Sequence, residues 1–268
     1  MGGYDMLSPK GAKERAVNYN TGMLPLLWVT ILGWSSGAIV NYLADVLPRT
    51  RTFSSPVCGR CGSEKSWVSL FWPTKCDQCQ RRGTIRTWGV FVAGVGASFV
   101  LWFFPPDRLG YYLGLMWLVY FGLVVVIDLE WRLILHPVSL VGGVMALVQG
   151  IFLHGWGKTL LGGGFGFLVM LVFYLLGMLF IKGFSRIRGE ESDQVALGFG
   201  DVNLAGVIGL LLGWPGVVAG LIIAILLGGI VSGLYLLVKI INGQYTAFEA
   251  LPYGPFLVLS AVYLLYIT

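Results

Sequence analysis

The sequence predicts an all-α polytopic membrane protein with about eight transmembrane helices and a small cytoplasmic zinc-binding insert. Three observations predict it. The 268 residues are 56% hydrophobic and only 12% charged, with a mean hydropathy of +0.79, whereas a soluble chain carries about 25% charged residues. Eight runs approach the ~20 apolar residues that a spanning helix needs: 23–46, 88–104, 111–127, 133–153, 159–181, 195–212, 216–238 and 251–266. All four cysteines fall in one polar stretch between the first two runs. The expected organisation is a polar tail over 1–22, a first span over 23–46, a tetracysteine insert over 47–87 and a helical membrane domain over 88–268.

The tail carries Lys10, Lys13 and Arg15 and reads as a polar extension rather than a cleavable signal peptide. The net charge of +5 does not point to nucleic acid, because the cations lie in loops between apolar spans, where they set topology. With the 47–87 insert in the cytoplasm and the spans alternating, that side holds Arg49, Arg51, Arg60, Lys65, Lys75, Arg81, Arg82, Arg86, Arg132, Lys182, Arg186, Arg188 and Lys239. The other side holds Lys10, Lys13, Arg15, Arg108 and Lys158. Thirteen cations against five fix the orientation.

The first span carries Asn41, a polar group that either bridges helices or lines a site and binds substrate backbone. The insert places Cys58-x-x-Cys61 and Cys76-x-x-Cys79 fourteen residues apart. Two such knuckles can surround one tetrahedral zinc ion, and with all four positions filled the site is structural. Redox disulfides or free thiols are the alternative. The glycines Gly162, Gly166, Gly229 and Gly233 recur at the small-xxx-small spacing of close-packed membrane helices.

Two aspartates stand at membrane level. Asp128 ends the apolar run 113–127, and Asp201 follows Gly198-Phe199-Gly200 at the mouth of another. A carboxylate near hydrocarbon is costly by a few kcal/mol or more and needs a reason to be there. Asp201 also reads as a helix N-cap, but Gly198 and Gly200 leave room for a second backbone to approach. Glu130 reads as an ordinary interfacial acid paired with Arg132. Two carboxylates a few ångströms apart in a partly dry site cannot both ionise comfortably, so one keeps a proton. The ionised member can then take a proton from water while the other donates to a scissile carbonyl. No nucleophile elbow, P-loop or HExxH helix is present, and His136 and His154 are too scattered for a His-based metal site.

These pieces together resemble the type IV prepilin peptidases, membrane aspartic proteases of the GxGD kind. The likeness rests on Asn41 with Leu47-Pro48-Arg49, on the four-cysteine insert, on Asp128, on Gly198-Phe199-Gly200-Asp201, and on Pro252-Tyr253-Gly254-Pro255-Phe256. GxGD alone is shared with presenilin-like proteases, which carry no such insert. Three positions depart from the family pattern. Ile134-Leu135 stands for Ile-Pro, Asn203 for a lysine, and Ala38-Ile39 for Phe-Leu.

The resemblance implies cleavage, after a glycine, of the basic leader of type IV prepilins or pseudopilins. The site would lie at the cytoplasmic face of the bacterial inner membrane, with Asp128 and Asp201 catalytic. Many members also N-methylate the new N-terminus with S-adenosylmethionine, and retention of the cysteine insert favours that activity here. Glu190, Glu191 and Asp193 read as a solvated loop or, less favoured, as contacts for a basic leader. The rival readings are a transporter or channel that relays protons or cations through the two aspartates, and a non-catalytic pilus assembly factor.

Overall fold

The computed structural model describes residues 23–58, 60–80, 83–188, 198–243 and 252–267, with the backbone alone over 181–188. The described elements are helical: α1 (Met23–Thr50), α2 (Val68–Phe71), α3 (Ile85–Phe103), α4 (Gly110–Trp131), α5 (His136–His154), α6 (Trp156–Arg188), α7 (Phe199–Leu212), α8 (Gly216–Ile241) and α9 (Gly254–Tyr266). One isolated antiparallel bridge, Val57 to Glu64, lies in the cysteine insert. Six of these helices are long and apolar enough to cross a membrane. The remaining apolar pair, α7 and α9, has 14 and 13 residues. At 1.5 Å per residue these are only about 20 Å long, against ~30 Å of hydrocarbon.

Helix ends differ from the apolar runs in ways that matter for the site. α4 continues past residue 127 to Trp131, so Asp128 lies inside the last helical turn rather than beyond it. Arg132 then adopts a left-handed conformation, and its N–H closes on the Asp128 carbonyl at 2.9 Å. α1 runs on to Thr50 and carries Arg49 in its last turn. α3 starts on a capping box in which Thr84 and Thr87 each accept the other's backbone N–H.

α7 is the central helix. It packs on α5, α6, α8 and α9, and most of its side chains are buried. α4 packs on α1, α3 and α9, and contributes Trp117, Phe121, Val124 and Ile127 to the same core. The outward faces are apolar instead of polar. Ile222, Leu226, Ile230 and Leu234 of α8 are all more than half exposed, a pattern that suits hydrocarbon and not water.

The glycine spacing holds at one seam and fails at the other. A Cβ on Gly162 would fall on the Gly209 carbonyl, and one on Gly166 would meet that of Ala205, so α6 and α7 are in backbone contact there. Gly229 and Gly233 face open space among the described residues and join nothing. Spacing defines a helical face but not its partner. Gly162→Leu is therefore expected to cost about 1–3 kcal/mol by overpacking, while Gly233→Leu is neutral. Thermal unfolding in detergent checks both.

Candidate active site

The site is built where the end of α4, the start of α7 and the start of α9 converge. Asp128 comes from α4 and Asp201 from α7, and both side chains are buried. Each has one carboxylate oxygen tied to a backbone donor. Asp128 Oδ2 accepts the Gly254 N–H at 3.1 Å, and Asp201 Oδ2 accepts the Gly198 N–H at 3.1 Å. Asp201 Oδ1 is buried with no partner among the described residues. The two carboxylates lie within Coulombic range of each other, and the Tyr253 phenol lies within range of Asp201.

Ile134 sets the spacing. A Cβ on Gly200 would overlap the Ile134 Cβ and crowd its backbone, and one on Gly254 would meet both Asp128 Oδ2 and the tip of Ile134. The two glycines thus let α7 and α9 close on the α4–α5 connection. Both helices could not approach it this closely with any side chain at these positions. Gly198 serves differently, as the N-cap of α7, with Asp201 at the third helical position reaching back to its N–H. The capping and dyad readings of Asp201 are therefore not exclusive, because one oxygen caps and the other is left over.

A family model described as the type IV leader peptidase family matches residues 112–233. That segment is similar to the type IV leader peptidase family. No curated protein and no solved structure matches the chain. The matched segment begins in α4 and ends in α8, so Asp128, Gly198, Gly200 and Asp201 all lie within it. Asn41, the cysteines and Gly254 lie outside it.

Asn41 is buried between α1 and α3. Its Nδ2 donates to the Thr87 carbonyl at 3.1 Å, and its Oδ1 has no partner among the described residues. With Asp45 and Lys65 it lines a cavity of about 50 Å³ beside the insert. Glu130 does not pair with Arg132. Its Oε2 accepts from Arg86 Nη1 at 2.9 Å, and Arg86 Nη2 reaches Asp45 Oδ1 at 2.7 Å. Asp45 is a third acid within the first span, which a reading of two membrane-level aspartates passes over. Its partner lies 41 residues away on another helix. Glu190, Glu191 and Asp193 lie outside the described residues.

An apolar cavity of about 300 Å³ lies between α1, α3, α4 and α9, walled by Gly37, Gly94, Ala97, Gly122 and Val258. It is separate from the carboxylates, and its wall on α4 ends at Val125 and Val126.

The cysteine insert folds as two knuckles facing each other. Cys58 N–H donates to the Ser63 carbonyl at 2.8 Å, and Gly62 N–H to the Cys58 carbonyl at 2.9 Å, closing the first turn. The four sulfurs lie within 4.8 Å of one another, with Cys58–Cys79 at 3.7 Å and Cys61–Cys76 at 3.5 Å. A zinc tetrahedron with Zn–S of about 2.3 Å has edges of about 3.8 Å, whereas a disulfide is ~2.05 Å long. The sulfurs fit a metal ion such as zinc and are not paired as disulfides. Backbone N–H groups of the second knuckle, with the Ser63 hydroxyl, pull the Cys76 thiol down to about 6, which favours the thiolate a metal requires.

Sequence reasoning quoted the residues around Gly254 without finding their job. One signal was present: Pro252 and Pro255 have no N–H, so between the two prolines Tyr253 and Gly254 hold the only backbone donors.

Proposed function

We propose that this chain is a membrane-embedded aspartic endopeptidase that removes the basic leader from prepilin-like or pseudopilin-like substrates. It would act at the cytoplasmic face of the bacterial inner membrane. The observation that carries this reading is the buried pair of carboxylates from α4 and α7, both within the matched segment and each anchored by one backbone N–H, that of Gly198 inside the segment and that of Gly254 outside it. Anchoring one oxygen of each acid fixes both side chains and leaves the other oxygens to act on a water molecule. The ionised acid takes a proton from that water as its oxygen attacks the scissile carbonyl carbon. The protonated acid donates to the carbonyl oxygen, and a tetrahedral gem-diol forms. Breakdown returns a proton to the leaving nitrogen, and the C–N bond breaks with no covalent enzyme intermediate. The pair titrates as a unit, so neither residue owns one role.

Zinc in the insert would be structural. Cys58, Cys61, Cys76 and Cys79 would hold it, and it would staple a loop with little core of its own. Purified protein is expected to hold about one zinc per chain. Cys58→Ser should lose most of it by elemental analysis while the membrane helices stay folded.

N-methylation of the new N-terminus is the second activity the resemblance implies. The cavity beside the insert, about 50 Å³, is far below the ~300–1,000 Å³ of ordinary ligand pockets. It does not fit S-adenosylmethionine.

The test is to incubate purified protein with a prepilin-type peptide, with and without S-adenosylmethionine, and to read the products by mass spectrometry. A single cut after the leader glycine supports the peptidase. An uncut peptide, with protein shown folded and metal-loaded, removes it. A further methyl mass on the cut product would add the transferase.

A further inference from the structure

Two arginines bracket the cysteine insert, and both reach the helical turn that carries Asp128. Arg49 closes α1 just before the insert, and Arg86 opens α3 just after it. Arg86 bridges Asp45 of α1 and Glu130 of α4, two residues beyond Asp128. The Arg49 guanidinium lies over the ring of Trp131, 5.7 Å from its centroid and three residues beyond Asp128. The same guanidinium donates through Nη1 to the Cys58 carbonyl at 2.9 Å. A Cβ on Gly62 would come within 3.3 Å of that nitrogen, so the knuckle backbone wraps the guanidinium closely.

Arg49 therefore touches a cysteine of the sulfur cluster on one side and the last residue of α4 on the other. The two contacts use different properties of the side chain. One nitrogen of its fork donates to the carbonyl while its delocalised charge lies over an indole ring, a combination that lysine reproduces poorly.

The insert has little means of holding the Cys58 carbonyl in place by itself. Its buried side chains are few, chiefly Pro56, Pro73 and the cysteines Cys58 and Cys76. A segment with so small a core depends on cross-links for its shape. Joining the two knuckles through a metal would fix the turn that contains Cys58, and Arg49 would carry that constraint to α4.

We propose that Arg49 is a positioning residue that couples metal binding in the insert to the placement of Asp128. This rests on Asp128 belonging to the acid–base pair. Metal loading holds the Cys58 turn, the turn holds Arg49 over Trp131, and Trp131 holds the end of α4. Without metal the guanidinium loses its fixed acceptor, the end of α4 keeps the Gly254 N–H bond to Asp128 and the partly exposed Arg86–Glu130 bridge but loses its hold through Trp131, and the carboxylate drifts from its productive position. A displacement of about 1 Å can cost 10²-fold in rate, so a modest loosening is enough to matter.

The experiment compares wild type, Arg49→Met and Trp131→Leu, each metal-loaded and metal-depleted, by three readouts: zinc content, kcat and KM for leader cleavage, and hydrogen exchange of the backbone over residues 126–134. Loaded Arg49→Met is expected to keep its zinc and a KM within about twofold of wild type, to lose roughly tenfold in kcat, and to exchange faster over 126–134. Removing metal from wild type should reproduce both changes, while removing it from Arg49→Met should add little to either. Trp131→Leu should match Arg49→Met. Three outcomes overturn the proposal: independent, multiplying losses from metal removal and Arg49→Met, unchanged exchange over 126–134 in loaded Arg49→Met, or faster exchange there with kcat at the wild-type level. Failure of the underlying dyad looks different, because Asp128→Asn would then cleave at the wild-type rate.

Discussion

Asp201→Asn is expected to slow leader cleavage by ~10²–10⁴-fold, the usual contribution of a positioned acid or base, while leaving the chain at least as stable as wild type. The substitution keeps nearly the same shape, and the amide oxygen can still accept the Gly198 N–H that Oδ2 accepts now. It removes the capacity to exchange a proton. It also removes one of two neighbouring buried acids, so the cost of keeping them together disappears. An amide NH₂ left at the buried Oδ1 position lacks a partner among the described residues, which returns about 1–3 kcal/mol of that gain. Activity and stability thus separate, as they do where a site is held against its own electrostatics. Single-turnover cleavage and thermal unfolding in the same detergent check both halves. A variant that cleaves normally would show that Asp201 only caps α7.

The second large effect is expected at Gly254→Ala, a position outside the matched segment. One methyl group there would overlap Asp128 Oδ2, on the carboxylate itself, and touch the tip of Ile134. Asp128 cannot both keep its bond to the Gly254 N–H and make room. The carboxylate must rotate, or α9 must withdraw. Either movement spoils the geometry between the acids, and a loss of roughly 10²-fold in kcat is expected from misplacement alone. Because the added group is small and the neighbouring chain can shift, zinc content and helical content should stay unchanged. The informative control is Gly229→Ala, which meets nothing within 4 Å among the described residues and should cleave at the wild-type rate.

Much of this was legible in the chain because the signals were expensive ones. Long apolar runs have few uses other than spanning hydrocarbon, and four cysteines at knuckle spacing have few uses other than a metal. An acid beside an apolar run costs enough to demand an explanation, which is why Asp128 and Asp201 stood out. What stayed hidden was cheap or non-local. The Gly254 N–H that anchors Asp128 looks like any other backbone donor until the fold brings it over 126 residues. Asp45, Glu130 and Arg86 sit on three helices, and local reasoning gave Glu130 the nearest cation in sequence instead of the one in space. The extra turn of α4 was missed for the same reason. Glu130 and Arg132 look like the polar end of a span, yet the helix continues through Glu130 to Trp131, and Arg86 of another helix meets the Glu130 charge.

Hydrolysis consumes one water per cut, and hydrocarbon holds almost none. α7 is level at its far end with the α5–α6 connection, where the Trp214 N–H meets the Lys158 carbonyl. From there, fourteen residues would climb only about two thirds of the way across an apolar layer of ~30 Å. The acids at its upper end would therefore sit at the floor of a dimple, roughly 9 Å deep by the same arithmetic. Solvent would refill such a dimple from the side where the cations gather. The brevity of one helix would then do two jobs, holding the carboxyl groups below the surface and keeping them wet.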